Sequence, residues 1–298
     1  MNMLIATDTY ESINADYKAA LEWLDKLGVS IGSGRAQFYA KIIERWSQDY
    51  RSATENQGKE IFVDFVSSMA EVPDFLEIYR SLKYVPISEL SAITEKLKKA
   101  VSGPVDSAEE TEKTTVARNF LFEALVAARA HRPNNGIRAI FNSKSDTGIE
   151  IEGRKIWIEC KRVTSVDKLE KNIRKACNQL EPNISRGISF RNFGLVAVDF
   201  TKILHKGGML LVKPNDAVLL AAVSEITDSF IRENYKIWEK VYKEKHKKIL
   251  GTLFRYSTMA VSEERNLLVR TADWAISPKA GAKLSERKLL EAVVKAIR

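Results

Sequence analysis

The sequence predicts a three-layer α/β domain, in which helices flank a mixed central sheet, preceded by an all-α region. Residues 1–100 contain four segments with apolar side chains at helical spacing. From residue 114 onward the patterns follow the order α-β-β-β-α-β-α. Residues 102–114 are small, polar and acidic, include a proline, and separate the two regions. We therefore predict a helical domain over residues 1–107 and an α/β domain over residues 108–298.

The composition is typical of a globular protein, with 45% hydrophobic and 29% charged residues in a chain of 298. No apolar run approaches the roughly 18 residues that cross a bilayer, and the first residues lack the pattern of a signal peptide. The chain has three histidines and two cysteines, Cys160 and Cys177, which do not form a CxxC pair. This composition excludes a disulfide framework and a Cys/His zinc site. We expect a cytoplasmic protein without a membrane partner, in which a metal would need oxygen ligands.

The positive charge is concentrated in the second domain. The net charge of the chain is +8. Residues 1–107 contain 12 Lys/Arg and 16 Asp/Glu, whereas residues 108–298 contain 35 and 23, so their net charges are −4 and +12. A basic region of this size predicts a polyanionic partner, most simply a nucleic acid. The alternative is a basic surface that binds nothing.

The helical and strand segments follow from local patterns. The first helix ends at Gly28, the helix before the first strand ends near Pro133 to Gly136, and Ser165 is an N-cap candidate. The segment "FGLVAVDFT" is nearly all apolar, as a buried strand would be. The predicted helices cover residues 17–28, 35–53, 59–72, 87–101, 116–131, 165–181, 216–246 and 285–298. The predicted strands cover residues 137–143, 193–201, 249–256 and 266–277, together with a hairpin over residues 145–162.

The hairpin "SDTGIEIEGRKIWIECKR" combines strand-forming residues with charges. If Glu152 and Gly153 form a two-residue turn, facing residues have numbers that sum to 305, and Asp146 lies opposite Glu159. The two-residue period of a strand places Glu159 and Lys161 on one face. A longer turn would shift this register. We therefore expect two carboxylates and one ammonium group to lie close together.

Two carboxylates that face each other at about 5 Å repel, so a compensating cation is expected. Mg²⁺ prefers such hard oxygen ligands, and Mn²⁺ is the natural substitute. Lys161 would then lie where it could orient an attacking water or stabilise charge that develops on a phosphate.

The segment "SD", followed after a short hairpin by "WIECKR", resembles the motif of the PD-(D/E)xK nuclease superfamily, which has the restriction-endonuclease-like fold. Asp146 and Glu159 match its two acidic positions, Lys161 matches its lysine, and Ser145 replaces its proline. The order of elements also matches that family's core over residues 114–201. The resemblance implies that Asp146 and Glu159 bind Mg²⁺ and that Lys161 takes part in catalysis.

Two further positions carry the resemblance. Many members of the family have an acidic residue on the helix before the first strand, and Glu123 matches it as a third metal ligand. Gln179, on the helix after the motif, resembles a glutamine of several branches and is a candidate catalytic residue. In the alternative, Arg118 or Arg129 neutralises Glu123, and Gln179 is an ordinary surface residue. Asp146 would then be a turn residue, and the hairpin charges a surface ladder.

The resemblance implies a Mg²⁺-dependent endonuclease that hydrolyses DNA phosphodiester bonds, with restriction or anti-phage defence as its setting. Repair, recombination and RNA cleavage are alternatives within the same chemistry. A different class of function is a nucleic-acid-binding or assembly module that no longer cuts. Paired cuts in duplex DNA would require a homodimer, and residues 1–107 could bind a target or a protein partner, or regulate the nuclease.

Two features outside the motif remain open. The segment "KIWEKVYKEKHKK", residues 236–248, interleaves aromatic residues with six lysines and could follow a phosphate backbone, although solvated helical faces have a similar pattern. Trp157 shares the face of Glu159 and either stacks on a base or closes the core.

Overall fold

The computed structural model describes residues 4–52, 54–111, 114–131, 137–141, 145–185, 191–205 and 210–298. Its ten α-helices in these ranges are α1 Tyr10–Lys26, α2 Arg35–Asp49, α3 Glu55–Met69, α4 Val72–Leu82, α5 Ser91–Ala100, α6 Val116–Ala130, α7 Leu169–Ser185, α8 Thr201–Leu204, α9 Asp216–Lys243 and α10 Leu284–Ile297. The strands are β1 Ile137–Ile140, β2 Thr147–Ile151, β3 Arg154–Arg162, β4 Asn192–Asp199, β5 Leu211–Lys213, β6 Ile249–Ser262 and β7 Leu267–Pro278. The predicted helix end at residues 133–136 lies outside the described residues.

Most predicted elements are present, with shifted ends. The sequence analysis missed helix α4 entirely, because Pro73 looks like a helix breaker. In the structure this proline lies in the first turn of α4. A backbone N–H has no intrahelical partner at that position, so the helix loses no hydrogen bond. Ser165 precedes a short 3-10 helix and α7, but its side chain makes no capping hydrogen bond. No helix in the described residues is long and apolar enough to cross a membrane.

The strands form one mixed sheet of seven strands in the order β1-β2-β3-β4-β6-β5, and β7 pairs with β6. Strands β1, β2 and β3 are antiparallel, whereas β3, β4 and β6 run parallel. Helix α7 connects β3 to β4, as a parallel pair requires. The carboxyl ends of β3 and β4 therefore lie side by side and next to Arg255 in the middle of β6.

Helices cover both faces of the sheet, because alternate residues of its central strands point to opposite faces. On β4, Leu195 and Ala197 pack in a cluster with the N-terminal helices, α6 and α10. Val196 and Val198 pack in a second cluster with α7 and α9. The protein is thus an α/β protein with a mixed sheet between layers of helices, as the pattern of elements predicted at this level.

The hairpin turn has the predicted geometry. Glu152 and Gly153 have φ angles of 49° and 69°, which is the pair of positive values that a tight two-residue hairpin turn requires. The ladder pairs Ile149 with Ile156 and Gly148 with Trp157, so the sum of 305 holds along β2 and β3. A side chain at Gly148 would collide with the Trp157 ring at 2.9 Å, so this glycine provides room for the tryptophan. Trp157 lies partly buried against the second cluster.

Buried ion pairs join the N-terminal helices to the sheet. Asp74, at the start of α4, accepts hydrogen bonds from Arg255 on β6 at 2.7 and 2.9 Å and from Arg270 on β7 at 2.5 Å. Arg255 also donates to Asp199 at the end of β4, at 2.7 Å. The helices of residues 10–100 share one hydrophobic cluster with the sheet. The predicted domain boundary at residue 107 stays a prediction, but the two regions are packed together.

Replacing Asp74 with alanine should destabilise the protein strongly, because it leaves the buried guanidinium group of Arg270 without its carboxylate partner and Arg255 with Asp199 alone. We expect the free energy of unfolding in urea to fall by about 3–5 kcal/mol. Asp228→Ala, at an exposed position of α9, is the matched control and should leave the midpoint near the wild-type value. Equal midpoints for the two variants would contradict the structural role of this network.

Candidate active site

Asp146 lies just before β2, where the ladder ends. The last pair is Thr147 with Ile158, so the predicted direct pairing of Asp146 with Glu159 is not part of the ladder. Instead, the Asp146 side chain turns toward β3, and its Oδ2 accepts a hydrogen bond of 2.7 Å from the backbone N–H of Cys160. The carboxylate therefore still lies beside that of Glu159, held there by the backbone of the neighbouring strand.

Glu159 and Lys161 lie on one face of β3, as predicted. Glu159 is almost completely buried, with 2% of its surface exposed. Lys161 Nζ lies 3.5 Å from Glu159 Oε2 and 4.0 Å from Asp146 Oδ2, and it donates a hydrogen bond of 2.9 Å to the Cys160 carbonyl. The structure thus brings together the three residues that match the motif.

Glu123 joins this group from helix α6. Neither arginine proposed as its neutralising partner pairs with it: Arg118 binds Glu71 at 2.5 Å, and Arg129 lies 3.6 Å from Glu77. The predicted alternative for Glu123 is therefore wrong with respect to both arginines. Its carboxylate instead accepts a hydrogen bond from a lysine of the N-terminal helices.

That lysine is Lys96, which the sequence analysis did not identify. Its Nζ donates to Glu123 Oε2 and lies 3.6 Å from Asp146 Oδ1, and only 13% of its side chain is exposed. The ammonium group occupies the space between two carboxylates that are 23 residues apart in the chain. No local signal marks Lys96, because "TEKLKK" on α5 has the pattern of a solvated helical face. We call these five side chains the carboxylate–lysine cluster: Lys96, Glu123, Asp146, Glu159 and Lys161.

The cluster contains more negative than positive charge in a buried place. Burial, followed by the charge of Asp146, raises the pKa of Glu159 to about 8. Burial and Asp146 likewise raise the pKa of Glu123 to about 7, although Lys96 opposes this shift. Burial lowers the pKa of Lys96, but Glu123 and Asp146 outweigh burial and raise it. With all five groups ionised the cluster carries one net negative charge, which a proton or one more cation would balance.

One oxygen of the cluster has only a long ion-pair contact: Glu159 Oε2 lies 3.5 Å from Lys161 Nζ. Glu159 Oε2 is buried and accepts no hydrogen bond in the described structure, a costly condition for a carboxylate. The donor set around it consists of hard carboxylate oxygens, which fit Mg²⁺ or Mn²⁺. Among the described residues, no group of three or more His, Cys, Asp or Glu side chains is gathered as a preformed metal site. The carboxylates are arranged around Lys96 and Lys161 instead.

A residue of α7 holds the loop that carries Asp146. Asn183 Nδ2 donates a hydrogen bond of 2.6 Å to Ser145 Oγ, so the serine that replaces the proline of the motif has a structural partner. Gln179, one turn earlier on α7, is exposed and makes no hydrogen bond to the cluster in the part of the chain described. Gln179 is therefore outside the cluster, and its predicted catalytic role stays a prediction.

A separate cavity lies at the carboxyl ends of β3 and β4, beside the middle of β6. It has a volume of about 210 Å³, and its lining includes Arg162, Asp199 and Arg255 but no member of the carboxylate–lysine cluster. Its charged groups are largely engaged in the ion pairs that join the helices to the sheet. The residues that match the motif therefore lie in the cluster and not in this cavity.

The chain matches no known family profile, and neither curated proteins nor solved structures give a significant match to it. A function therefore has to be argued from the geometry and electrostatics of the cluster.

The raised pKa of Glu159 makes stability depend on pH in a defined direction. Between pH 5 and 8 the folded protein binds more protons at this carboxyl than the unfolded chain, whose glutamate pKa is 4.5, so the free energy of unfolding falls as the pH rises. In Glu159→Gln the decrease in the free energy of unfolding between pH 5 and pH 8 should be smaller than in the wild type by roughly 2–4 kcal/mol. Urea unfolding in EDTA at pH 5 and pH 8 measures it. A variant that keeps the wild-type pH dependence would contradict the assigned pKa.

Proposed function

We propose that this protein is a metal-dependent phosphodiesterase that hydrolyses DNA, on a restriction-endonuclease-like fold. The observation that carries the proposal is the convergence of three carboxylates, from α6, the β2 loop and β3, beside the ammonium group of Lys161. The pKa shifts support it, because strongly perturbed carboxylates that cluster beside a lysine are typical of functional sites. Glu159 Oε2, which accepts no hydrogen bond from the described residues, supports a further ligand in the same place.

Asp146, Glu159 and Glu123 would hold Mg²⁺, or Mn²⁺ in its place. When bound, such an ion polarises a phosphate oxygen and lowers the pKa of a coordinated water. The backbone N–H of Cys160 fixes Asp146, and Asn183 fixes the loop through Ser145. These contacts orient the Asp146 carboxylate before any ligand arrives, which reduces the reorganisation that binding requires.

Lys161 would act on the water and the phosphate. Its ammonium group has three N–H donors, one of which the Cys160 carbonyl accepts. The other donors face Glu159 and Asp146, where they can hold a water molecule or stabilise negative charge on a phosphate in the transition state. The reaction needs no covalent intermediate on the protein, because the cluster offers water activation and charge stabilisation.

Lys96 occupies the position between Glu123 and Asp146 that a bound cation would share. Two positive charges cannot both remain in this space at low dielectric, so the ammonium would move aside when the ion binds. The long, flexible side chain permits this motion. Displacing Lys96 therefore costs free energy when the metal binds, and the negative charge of the carboxylates has to offset that cost.

The biological setting follows from the same proposal. Residues 108–298 would form the nuclease, acting in the cytoplasm in restriction or anti-phage defence, with a homodimer for paired cuts. Residues 1–107 would recognise a target or a partner and supply Lys96. A second candidate is a nucleic-acid-binding module that does not cut. The observation in its favour is that Lys96 already neutralises two of the three carboxylates.

Substitution in the cluster should abolish Mg²⁺-dependent cleavage of plasmid DNA. We expect Asp146→Asn and Lys161→Ala each to lower the cleavage rate by about 100-fold or more, because each removes a group that acts on the scissile phosphate or its metal. Lys155→Ala is the matched control, since Lys155 is an exposed lysine on the same strand. Full cleavage by either cluster variant would reject this site.

Removing the ammonium group of Lys96 should strengthen metal binding. In Lys96→Met we expect the Kd for Mn²⁺, measured by calorimetry without nucleic acid, to fall by about tenfold or more, which corresponds to at least about 1.4 kcal/mol. Lys98→Met, an exposed position on the same helix, should bind Mn²⁺ like the wild type. Absence of Mn²⁺ binding in every variant would favour the non-cutting module.

A further inference from the structure

A basic groove runs along helix α9, apart from the carboxylate–lysine cluster. Its walls are the second half of α9, the segment after β7 and the start of α10, and its volume is about 820 Å³. It is lined by Ile231, Arg232, Tyr235, Lys236, Glu239, Lys240, Lys243, Ser277, Pro278, Lys279, Ala280 and Arg287. We call this surface the α9 groove. It shares no residue with the cluster or with the cavity at the strand ends.

The lining of the α9 groove is strongly positive. Six of its side chains are cationic, and Glu239 supplies the one carboxylate. Both oxygens of Glu239 accept hydrogen bonds from the backbone N–H of Ala280, at 2.9 and 3.0 Å. The carboxylate therefore ties the two walls together, and the cations keep their positive field.

The helix presents its cations in a row. Arg232, Lys236, Lys240 and Lys243 are spaced by four, four and three residues, which places them on one face of α9. At 1.5 Å per residue, this row is about 16 Å long, which is the axial length of about five base pairs. A row of cations of this length fits a run of phosphates better than a single small anion.

These cations are available to a ligand. Lys236 and Lys243 are exposed and make no ion pair with any residue in the described ranges. Arg232 pairs with Glu225 at 3.0 Å and Lys240 with Glu170 at 3.3 Å, but both pairs are solvent-exposed and therefore weak. Tyr235 is 46% exposed beside them and offers an aromatic face. Phosphate contacts and base or sugar packing can thus occur together.

We propose that the α9 groove binds the sugar-phosphate backbone of a nucleic acid, with Lys236 and Lys243 on phosphates and Tyr235 against a base or sugar. The choice of DNA as the probe rests on the proposed function, but binding here needs no metal and no cleavage. A groove with an aromatic wall favours a nucleic acid over a flat anionic membrane, and regular cation spacing favours it over an acidic protein. The α9 groove would hold the substrate away from the cluster, which explains why the second domain carries the basic charge.

The test measures DNA binding without cleavage. Fluorescence anisotropy with a labelled 20-base-pair duplex, in EDTA and at several salt concentrations, gives the Kd and its salt dependence. For the double variant Lys236→Ala/Lys243→Ala we expect the Kd to rise about tenfold or more. The slope of log K against log salt should become smaller by about 1.8, since each lost phosphate contact removes about 0.9.

The control is Lys26→Ala/Lys41→Ala, which makes the same change in net charge at exposed positions of α1 and α2. It should keep the wild-type Kd within about twofold and the wild-type slope, because long-range charge effects are screened at physiological salt. Equal losses in both double variants would show that net charge alone governs binding and would overturn the groove. A wild type that binds neither duplex nor single-stranded DNA would overturn it as well. So would a result in which the variants lose binding to anionic phosphatidylserine vesicles but bind DNA like the wild type.

The contact with Tyr235 and the proposed catalysis can each be tested separately from phosphate binding in the α9 groove. Tyr235→Ala should weaken binding of a single-stranded 20-mer about threefold or more, whereas Tyr235→Phe should retain it; equal losses in the two variants would remove the aromatic contact from the proposal. A wild type that binds through the α9 groove yet never cuts would reject the proposed nuclease and leave this inference standing.

Discussion

Three carboxylates that share a buried space set the main electrostatic constraint on this structure. Glu123, Asp146 and Glu159 come from three different elements, and burial disfavours the charge on Glu123 and Glu159. Two lysines lie among them, one from β3 and one from the N-terminal helices. The arrangement is stable only if protons, ammonium groups or another cation balance the charge. That requirement links the fold, the perturbed pKa values and the proposed chemistry.

The N-terminal helices take part in this constraint. Lys96 reaches the cluster from α5, and Asp74 reaches the sheet from α4, so the helical region contributes both to the site and to the buried network on β6 and β7. A movement of these helices would change the charge between Glu123 and Asp146. Under the proposed function, the helical region would control access of a cation to the cluster. The α9 groove, on the layer with α7, would hold a polyanion independently.

Local patterns determined what could be predicted from the sequence. The turn at Glu152 and Gly153 fixes the hairpin register. Because side chains alternate between the two faces of a strand, the sequence alone could predict that Glu159 and Lys161 share one face. Lys96 was not, because its partners lie 27 and 50 residues away and only packing brings them together. Helix α4 was missed because a proline has opposite meanings in the first turn and in the middle of a helix. Gln179 and Asn183 differ by one turn, and a sequence pattern alone does not say which one faces the Asp146 loop.

The central claim is that the carboxylates of the cluster form a binding place for one hard divalent cation. Anomalous diffraction from crystals soaked in Mn²⁺ tests it most directly. The account predicts one anomalous peak between Asp146 and Glu159, within about 2.5 Å of oxygens of both, with the ammonium group of Lys96 moved away from Glu123. A cluster without anomalous density, with Lys96 still bound to Glu123 at saturating Mn²⁺, would contradict it.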